Sequence, residues 1–233
     1  ISYFGHLGHY TCPECERQRP WAQVEATVAR GRGLAGTDLT VRVGDRPVEA
    51  SLPLPGLYNV YNLLAGLAAV YALELKLADL PATLAAVRPA FGRAERLQAG
   101  TRSLVTLLTK NPVGANQVLR TIAQEPGPKT LLLALNDGLA DGQDISWIWD
   151  VDYEVLHGAV GQVVTTGRRA ADMALRLKHA GWFEAGAPQP LVLPNLRQAL
   201  QTALYQTPAD GTLYILPTYT GCLLYTSPSP RDV

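Results

Sequence analysis

Charge of one sign is the first thing missing. Among 233 residues, 20 basic side chains balance 20 acidic ones, and the formal net charge is zero. A chain without a basic excess offers no electrostatic footprint for a nucleic acid or an anionic membrane surface. Long apolar runs are missing too. No stretch reaches the roughly 20 residues that a membrane-crossing helix needs, and no secretory leader is visible. Cysteine is scarce, and three residues do not lay out a disulfide framework. There is no G-x-x-x-x-G-K-[ST] phosphate loop, and neither a G-x-S-x-G elbow nor a Cys–His arrangement marks an internal hydrolase. What remains is a cytoplasmic globular chain of one large or two small domains.

One stretch stands out among what is present: Leu135–Glu154, LNDGLADGQDISWIWDVDYE. It follows Thr130–Leu135 (TLLLAL), an apolar run that reads as a buried strand. Five aspartates, Asp137, Asp141, Asp144, Asp150 and Asp152, fall within sixteen residues, with Trp147 and Trp149 among them. The strand delivers this loop to the end of a sheet, where open α/β folds bind ligands. Asp and Gly are turn formers, so a solvated turn accounts for Asn136–Gly142. It does not account for SWIWD, because exposed turns rarely carry two tryptophans. A surface for another protein or a site wall does. Locally, Asp144 is placed to cap the following turn, since D-x-S-W can open a helix.

Nearer the start, Cys12 and Cys15 form a C-x₂-C knuckle preceded by His6 and His9. Thiolates at this spacing share one tetrahedral Zn²⁺, but a structural site needs four ligands. The two histidines or a second knuckle upstream would complete it, and two free thiols are the plainer alternative. Residues 24–52 alternate with period two between Gly-rich breaks, which predicts two or three antiparallel strands. After Gly56 the period changes and an apolar helix follows, with Asn59 and Asn62 three apart near its start. Asparagines there are often caps. A second helix is expected over Asp79–Val87. After Pro89, Arg93 and Glu95 fall in a short segment between two patterned regions, where on their own they read as a surface ion pair in a linker.

From Leu97 onward strands and helices alternate. Strands are predicted over Ser103–Leu108, Thr130–Leu135, the end of Leu156–Thr166, Leu191–Leu193 and Thr212–Leu216. Helices are predicted up to about Ala123, over Arg168–Ala180 and over Asn195–Tyr205. That order implies a mostly parallel, Rossmann-like sheet covered on both faces. Polar clusters fall just after its strands: Lys110 with Asn111, the acidic loop, Thr166-Gly167-Arg168, and Thr218 with Tyr219. Strand-end placement makes them candidates for one shared crevice. Lys110 has the point charge to neutralise a phosphate.

LND-x₃-DG-x-D-x-SWIWD-x-D-x-E, together with KNP-x-G-x-N, TGRRAADMALRLK and LPTYT, resembles the MurT family, the Mur-type ligase subunits of bacterial lipid II isoglutaminyl synthase. The matches run over roughly residues 3–220. The resemblance implies a layout. Residues 1–92 are the later part of a Mur ligase central domain with half of a zinc ribbon, and residues 93–221 a MurT-type C-terminal domain. Residues 222–233 (CLLYTSPSPRDV) lack amphipathic periodicity and read as a non-native tail. Cys12 and Cys15 then belong to a four-cysteine ribbon whose first half, like the phosphate loop, is expected upstream, and the histidines are not ligands.

The resemblance also implies the chemistry. ATP with Mg²⁺ activates the α-carboxylate of D-glutamate in the lipid II stem peptide, and ammonia from a GatD-type glutamine amidotransferase displaces phosphate. G-x-x-N-x-x-N carries Asn62, and less directly Asn59, to the nucleotide base. Gly-Arg-x-Glu carries Arg93 to the phosphates, with Lys110 and Asn111 as further candidates. Asp144, the Asp of D-x-S-W, is the carboxylate lent to the amidotransferase histidine. Two other readings stand beside this one: an amino-acid ligase of the Mur or folylpolyglutamate type, and a non-catalytic docking module.

Overall fold

The computed structural model describes residues 2–4, 9–75, 79–88, 93–182 and 189–225. It begins with an antiparallel pair, β1 (Ser2–Phe4) and β2 (His9–Thr11). Three antiparallel strands follow, β3 (Val24–Gly31), β4 (Thr37–Val43) and β5 (Arg46–Leu52), in the order β3-β4-β5. The alternation seen in the sequence is a one-sided sheet: in β4, Leu39 and Val41 are buried while Asp38 is exposed. Helices α1 (Leu57–Ala72) and α2 (Leu80–Ala85) cover that buried side, so that Val60, Leu67, Leu80 and Leu84 share a core with Leu39, Val41 and Leu52.

The larger sheet has six strands: β6 (Arg93–Ala99), β7 (Arg102–Leu107), β8 (Lys129–Ala134), β9 (Val160–Thr166), β10 (Leu191–Val192) and β11 (Thr212–Pro217). They lie in the order β10-β9-β8-β11-β7-β6, all parallel except β6 against β7. Strand β11 inserts between β7 and β8, so the central strands are sheltered on both sides. This explains why every residue of β8 is buried, and why its sequence shows an unbroken apolar run instead of alternation. One face is covered by α3 (Pro112–Ala123), α4 (Ala170–His179) and two short 3₁₀ helices, Ser146–Asp150 and Tyr153–Leu156. The other is covered by α5 (Leu196–Gln206) through Ala199 and Ala203.

One expectation needs correction. The Arg93–Glu95 segment is no linker. It opens β6, which turns through Gly100 and pairs with β7 from Arg93↔Leu107 to Ala99↔Arg102. Its charged alternation belongs to an edge strand, where one side of the ladder meets water. The tail boundary expected at Cys222 falls inside α6 (Tyr219–Tyr225), where Cys222 is fully buried and its N–H donates to Thr218 O at 2.9 Å. Residues 226–233 lie outside the described residues.

Candidate functional site

Three of the predicted residues meet in one cleft of about 470 Å³: Asn62, Lys110 and Asn111, with Tyr58, Leu108, Val113 and Val118 around them. Strand β7 ends there and α3 begins. Pro112 occupies the first turn of α3, where a missing N–H costs nothing, and Asn111 Oδ1 caps the helix by accepting the Gly114 N–H at 2.8 Å. Across the cleft α1 starts after Gly56 with no side-chain cap among the described residues. The start of α3 therefore opens into the cleft with the partial positive charge of a helix N-terminus, while α1 contributes Tyr58 and Asn62, and its cap Gly56 and first residue Leu57 line a separate pocket. Of the described residues lining the cleft, Lys110 alone is charged, and it is exposed. A positive end beside an apolar wall of Leu108, Val113 and Val118 suits a flat ring carrying an anion.

The other candidates sit around this cleft in different ways. Asn59 is not among the lining residues. It is buried, and its Nδ2 donates to Pro55 O at 2.7 Å, fixing the chain as it enters α1. Arg93 stands opposite Leu107, one residue before the cleft's Leu108. A larger open groove on the three-stranded sheet is lined by Arg30, Asp38 and Glu49, and holds none of the predicted residues.

The remaining strand-end groups close on one another. Asn136, just past β8, donates its N–H to Thr218 Oγ1 at 3.1 Å and its Nδ2 to Thr220 Oγ1 at 2.9 Å, while its Oδ1 accepts the Arg168 N–H at 3.0 Å. Asp141 is 4% exposed and accepts both the N–H and the hydroxyl of Thr220, each at 2.7 Å. Arg169 reaches Asp137 at 3.2 Å and grips both oxygens of Asp172 at 2.8 and 3.1 Å. That grip holds the Asp172 carboxyl below the usual range. Gly167 makes the crossing possible: its φ is 90°, and a Cβ there would lie 2.5 Å from Leu135 O. The single crevice suggested by the sequence is thus divided. Lys110 and Asn111 belong to the cleft, and the ends of β8, β9 and β11 form a latch whose polar groups satisfy one another.

Beyond the latch, SWIWD winds into the first 3₁₀ helix. Ile148 is buried, Ile145 and Trp147 pack against the core, and Trp149 is 49% exposed. Asp144 is exposed, with Oδ1 accepting the Ser146 N–H at 2.8 Å. That backbone hydrogen bond lowers its pKa and keeps an ionised carboxylate at the surface. Sequence reasoning missed Arg176. It stands beside the apolar stripe of α4 (Ala170, Met173, Ala174, Leu177), a position that reads as solvated, yet it is 5% exposed. The signal was a cation at helical spacing from core residues, in a chain whose acidic loop had no assigned counter-charge.

Cys12 and Cys15 sit in a tight knuckle. The Cys12 N–H donates to Arg17 O at 2.8 Å, its O accepts the Glu16 N–H at 2.9 Å, and Glu16 has φ 58°. Hydrogen bonds from the N–H groups of Cys15 and Glu14, with the Cys15 side chain adding to them, lower the Cys12 thiol below 9.0. The knuckle is thus shaped to present a thiolate, which fits half of a tetrahedral zinc set. Among the described residues no group of three or more His, Cys, Asp or Glu converges on a metal position. His6 lies outside them.

Known proteins bear on this arrangement. A family model described as MurT ligase C-terminal matches residues 108–222. The chain is 32% identical over 255 residues to the lipid II isoglutaminyl synthase (glutamine-hydrolyzing) subunit MurT of Streptococcus pneumoniae, covering 96% of this chain. It spans 56% of that relative's length. Among solved structures, MurF from Acinetobacter baumannii superimposes with a TM-score of 0.67 at 18% identity, covering 87% of this chain and 44% of MurF. Mycobacterium tuberculosis folylpolyglutamate synthase, complexed with ADP and AMPPCP, gives 0.61 at 20% identity, covering 89% of this chain and 49% of the synthase. No helix among the described residues is long and apolar enough to cross a membrane.

Proposed function

The chain belongs to the MurT family of Mur-type ligases, and on that premise we propose that it serves an ATP-dependent carbon–nitrogen ligase that amidates the α-carboxylate of D-glutamate in the lipid II stem peptide. The observation that carries this reading is the loop after β8, whose LND…DG.D.SWIWD sequence lies within the residues matched by the MurT C-terminal model. A carboxylate is a poor electrophile at neutral pH, so it must be activated before ammonia can add. ATP with Mg²⁺ supplies that activation when bound. On the protein side, Lys110 and the N-terminus of α3 hold nucleotide phosphate, Asn62 lies toward the base, and Arg93 joins from β6. Asn59 fixes the start of α1 through Pro55, and Asn111 fixes the start of α3.

Ammonia in this reading comes from a GatD-type glutamine amidotransferase bound to the acidic loop. Such an enzyme uses a Cys nucleophile and a His base, and the His needs a carboxylate to fix its tautomer and stabilise its charged form. Asp144 is exposed, ionised and on the same loop as the half-exposed Trp149, which suits a group offered across an interface. Cys12 and Cys15 supply two thiolates to a structural Zn²⁺. Residues 1–92 and 93–221 act as the later part of a central domain and a C-terminal domain.

The test uses the intact ligase subunit assembled with its amidotransferase, given lipid II, ATP, Mg²⁺ and glutamine. Amidated lipid II and stoichiometric phosphate release are expected. A product with an amino acid coupled to the stem, and no use of ammonia, would replace this reading by a Mur- or folylpolyglutamate-type amino-acid ligase.

A further inference from the structure

We infer that Arg176 is a positioning residue for the Asp144 carboxylate, acting as a clamp behind the SWIWD helix. The inference rests on the reading of Asp144 given above. A 3₁₀ helix of five residues has poor internal hydrogen bonds and does not hold its own place. Ile148 seats it on the core, and Arg176 has the geometry to fix its carbonyls. From α4 its Nε donates to Ile148 O at 3.2 Å and its Nη2 to Val151 O at 2.7 Å. Nη2 also meets both oxygens of Glu154, at 2.9 and 3.0 Å. Its guanidinium lies 5.7 Å from the Trp149 ring centre and 5.3 Å from that of Tyr153. One buried cation therefore ties together the two carbonyls that end the first 3₁₀ helix, the carboxylate of the second, and an aromatic ring from each.

The connection to Asp144 is short. Asp144 Oδ1 is tied to the Ser146 N–H, the first amide of the clamped helix. The far end of the same loop is anchored separately, by Asp141 on Thr220 and by Arg169 on Asp137. From the α3 side, Asn116 Oδ1 accepts the Asp152 N–H at 2.7 Å. The carboxylate thus sits between two fixed points, and Arg176 is the polar clamp on the helix that follows it, beside the core contact of Ile148. A lysine cannot take this role, because it lacks the planar fork that serves two carbonyls and a carboxylate together.

The experiment compares Arg176→Lys and Asp144→Asn in the ligase subunit, alone and assembled with its amidotransferase. In the isolated subunit, hydrogen exchange at the amides of residues 146–151 should quicken by roughly tenfold or more in Arg176→Lys, with β8 and β11 unchanged. In the complex, glutamine hydrolysis should fall by roughly 10- to 100-fold in kcat with little change in the glutamine KM, while amidation with supplied ammonia persists. Unchanged exchange at 146–151 would overturn the clamp. Quickened exchange with normal glutamine hydrolysis, alongside loss of hydrolysis in Asp144→Asn, would overturn the positioning role. Normal hydrolysis in Asp144→Asn would remove the lent carboxylate itself, and the positioning role with it. A fall in ammonia-dependent amidation equal to that in glutamine hydrolysis would reduce Arg176 to a purely structural residue. If Arg176→Lys does not fold, Glu154→Gln weakens the same clamp from its solvent side and should show a smaller fall with the same selectivity.

Discussion

Replacing Asp141 decides whether the polar groups beyond β8, β9 and β11 are a latch or a ligand site. Its carboxylate is 4% exposed and accepts the Thr220 N–H and hydroxyl, both at 2.7 Å. Hydrogen bonds to a charged partner contribute about 1.5–3 kcal/mol each, and Asp141→Ala leaves two donors without an acceptor. Release of the buried carboxylate offsets part of that loss, so the net destabilisation is about 3 kcal/mol. For a chain of this size the corresponding fall in Tm is about 6–12 °C. Asp141→Asn should cost about 1 kcal/mol, for a geometric reason. The amide oxygen still accepts the Thr220 N–H, but Thr220 Oγ1 already accepts Asn136 Nδ2, and its own proton loses its acceptor. Leu139→Ala, two residues away and 88% exposed, should change nothing measurable. Urea unfolding of the three variants tests the order Ala, then Asn, then the exposed control. Asp141→Ala within about 0.5 kcal/mol of the parent, or more stable, would refute the latch, because removing a charge from a functional site often stabilises the fold.

Other expected outcomes follow from the same geometry. Lys110→Ala and Arg93→Ala should each raise the ATP KM of the intact ligase, by roughly tenfold where one phosphate contact is lost; equal KM values would remove these residues from the nucleotide site. Cys12 should alkylate natively with an apparent pKa below 9.0, whereas Cys222, pushed up to about 11 by burial and the nearby Glu95 charge, should resist iodoacetamide near pH 8; the reverse order of labelling would contradict the knuckle and the helix that buries Cys222. The Arg169 grip lowers the folded pKa of Asp172, so its contribution to stability is present above the unfolded carboxylate value of about 3.9 and is lost as pH falls through the lowered folded value. Melting curves of the parent and Asp172→Asn should therefore differ near pH 6 and converge in strong acid, and a constant gap at every pH would contradict the grip.

How legible the molecule is in its sequence depends on how many environments a residue type can serve. The unbroken run of β8 has one good solution, a central parallel strand, and that is where it lies. The three antiparallel strands and the helices α3, α4 and α5 are similarly marked by periodicity. Strand β6 was hidden because R-A-E-R-L-Q-A reads as polar linker until β7 supplies its ladder. In the cleft, Lys110 was visible as a charge after a strand, but its meeting with Asn62 depends on how α1 faces α3, which no local pattern encodes. Asn59 and Asn62 occupy the same helix three residues apart, yet one is buried on Pro55 and the other lines the cleft. Arg176 was the least legible. A cation within an amphipathic helix normally reaches solvent, and the Glu154 carboxylate, the carbonyls of Ile148 and Val151 and two aromatic rings, all distant in sequence, make its burial favourable.

The lent carboxylate is the claim on which the functional account turns, and glutamine hydrolysis by the Asp144→Asn complex measures it directly. The account predicts that the subunits still associate and that amidation with supplied ammonia continues. Glutamine hydrolysis should fall by about ten-thousandfold, as expected when the carboxylate that orients a catalytic histidine is lost. Glutamine hydrolysis at the parent rate in that complex would contradict it, and would leave the acidic loop as a docking surface alone.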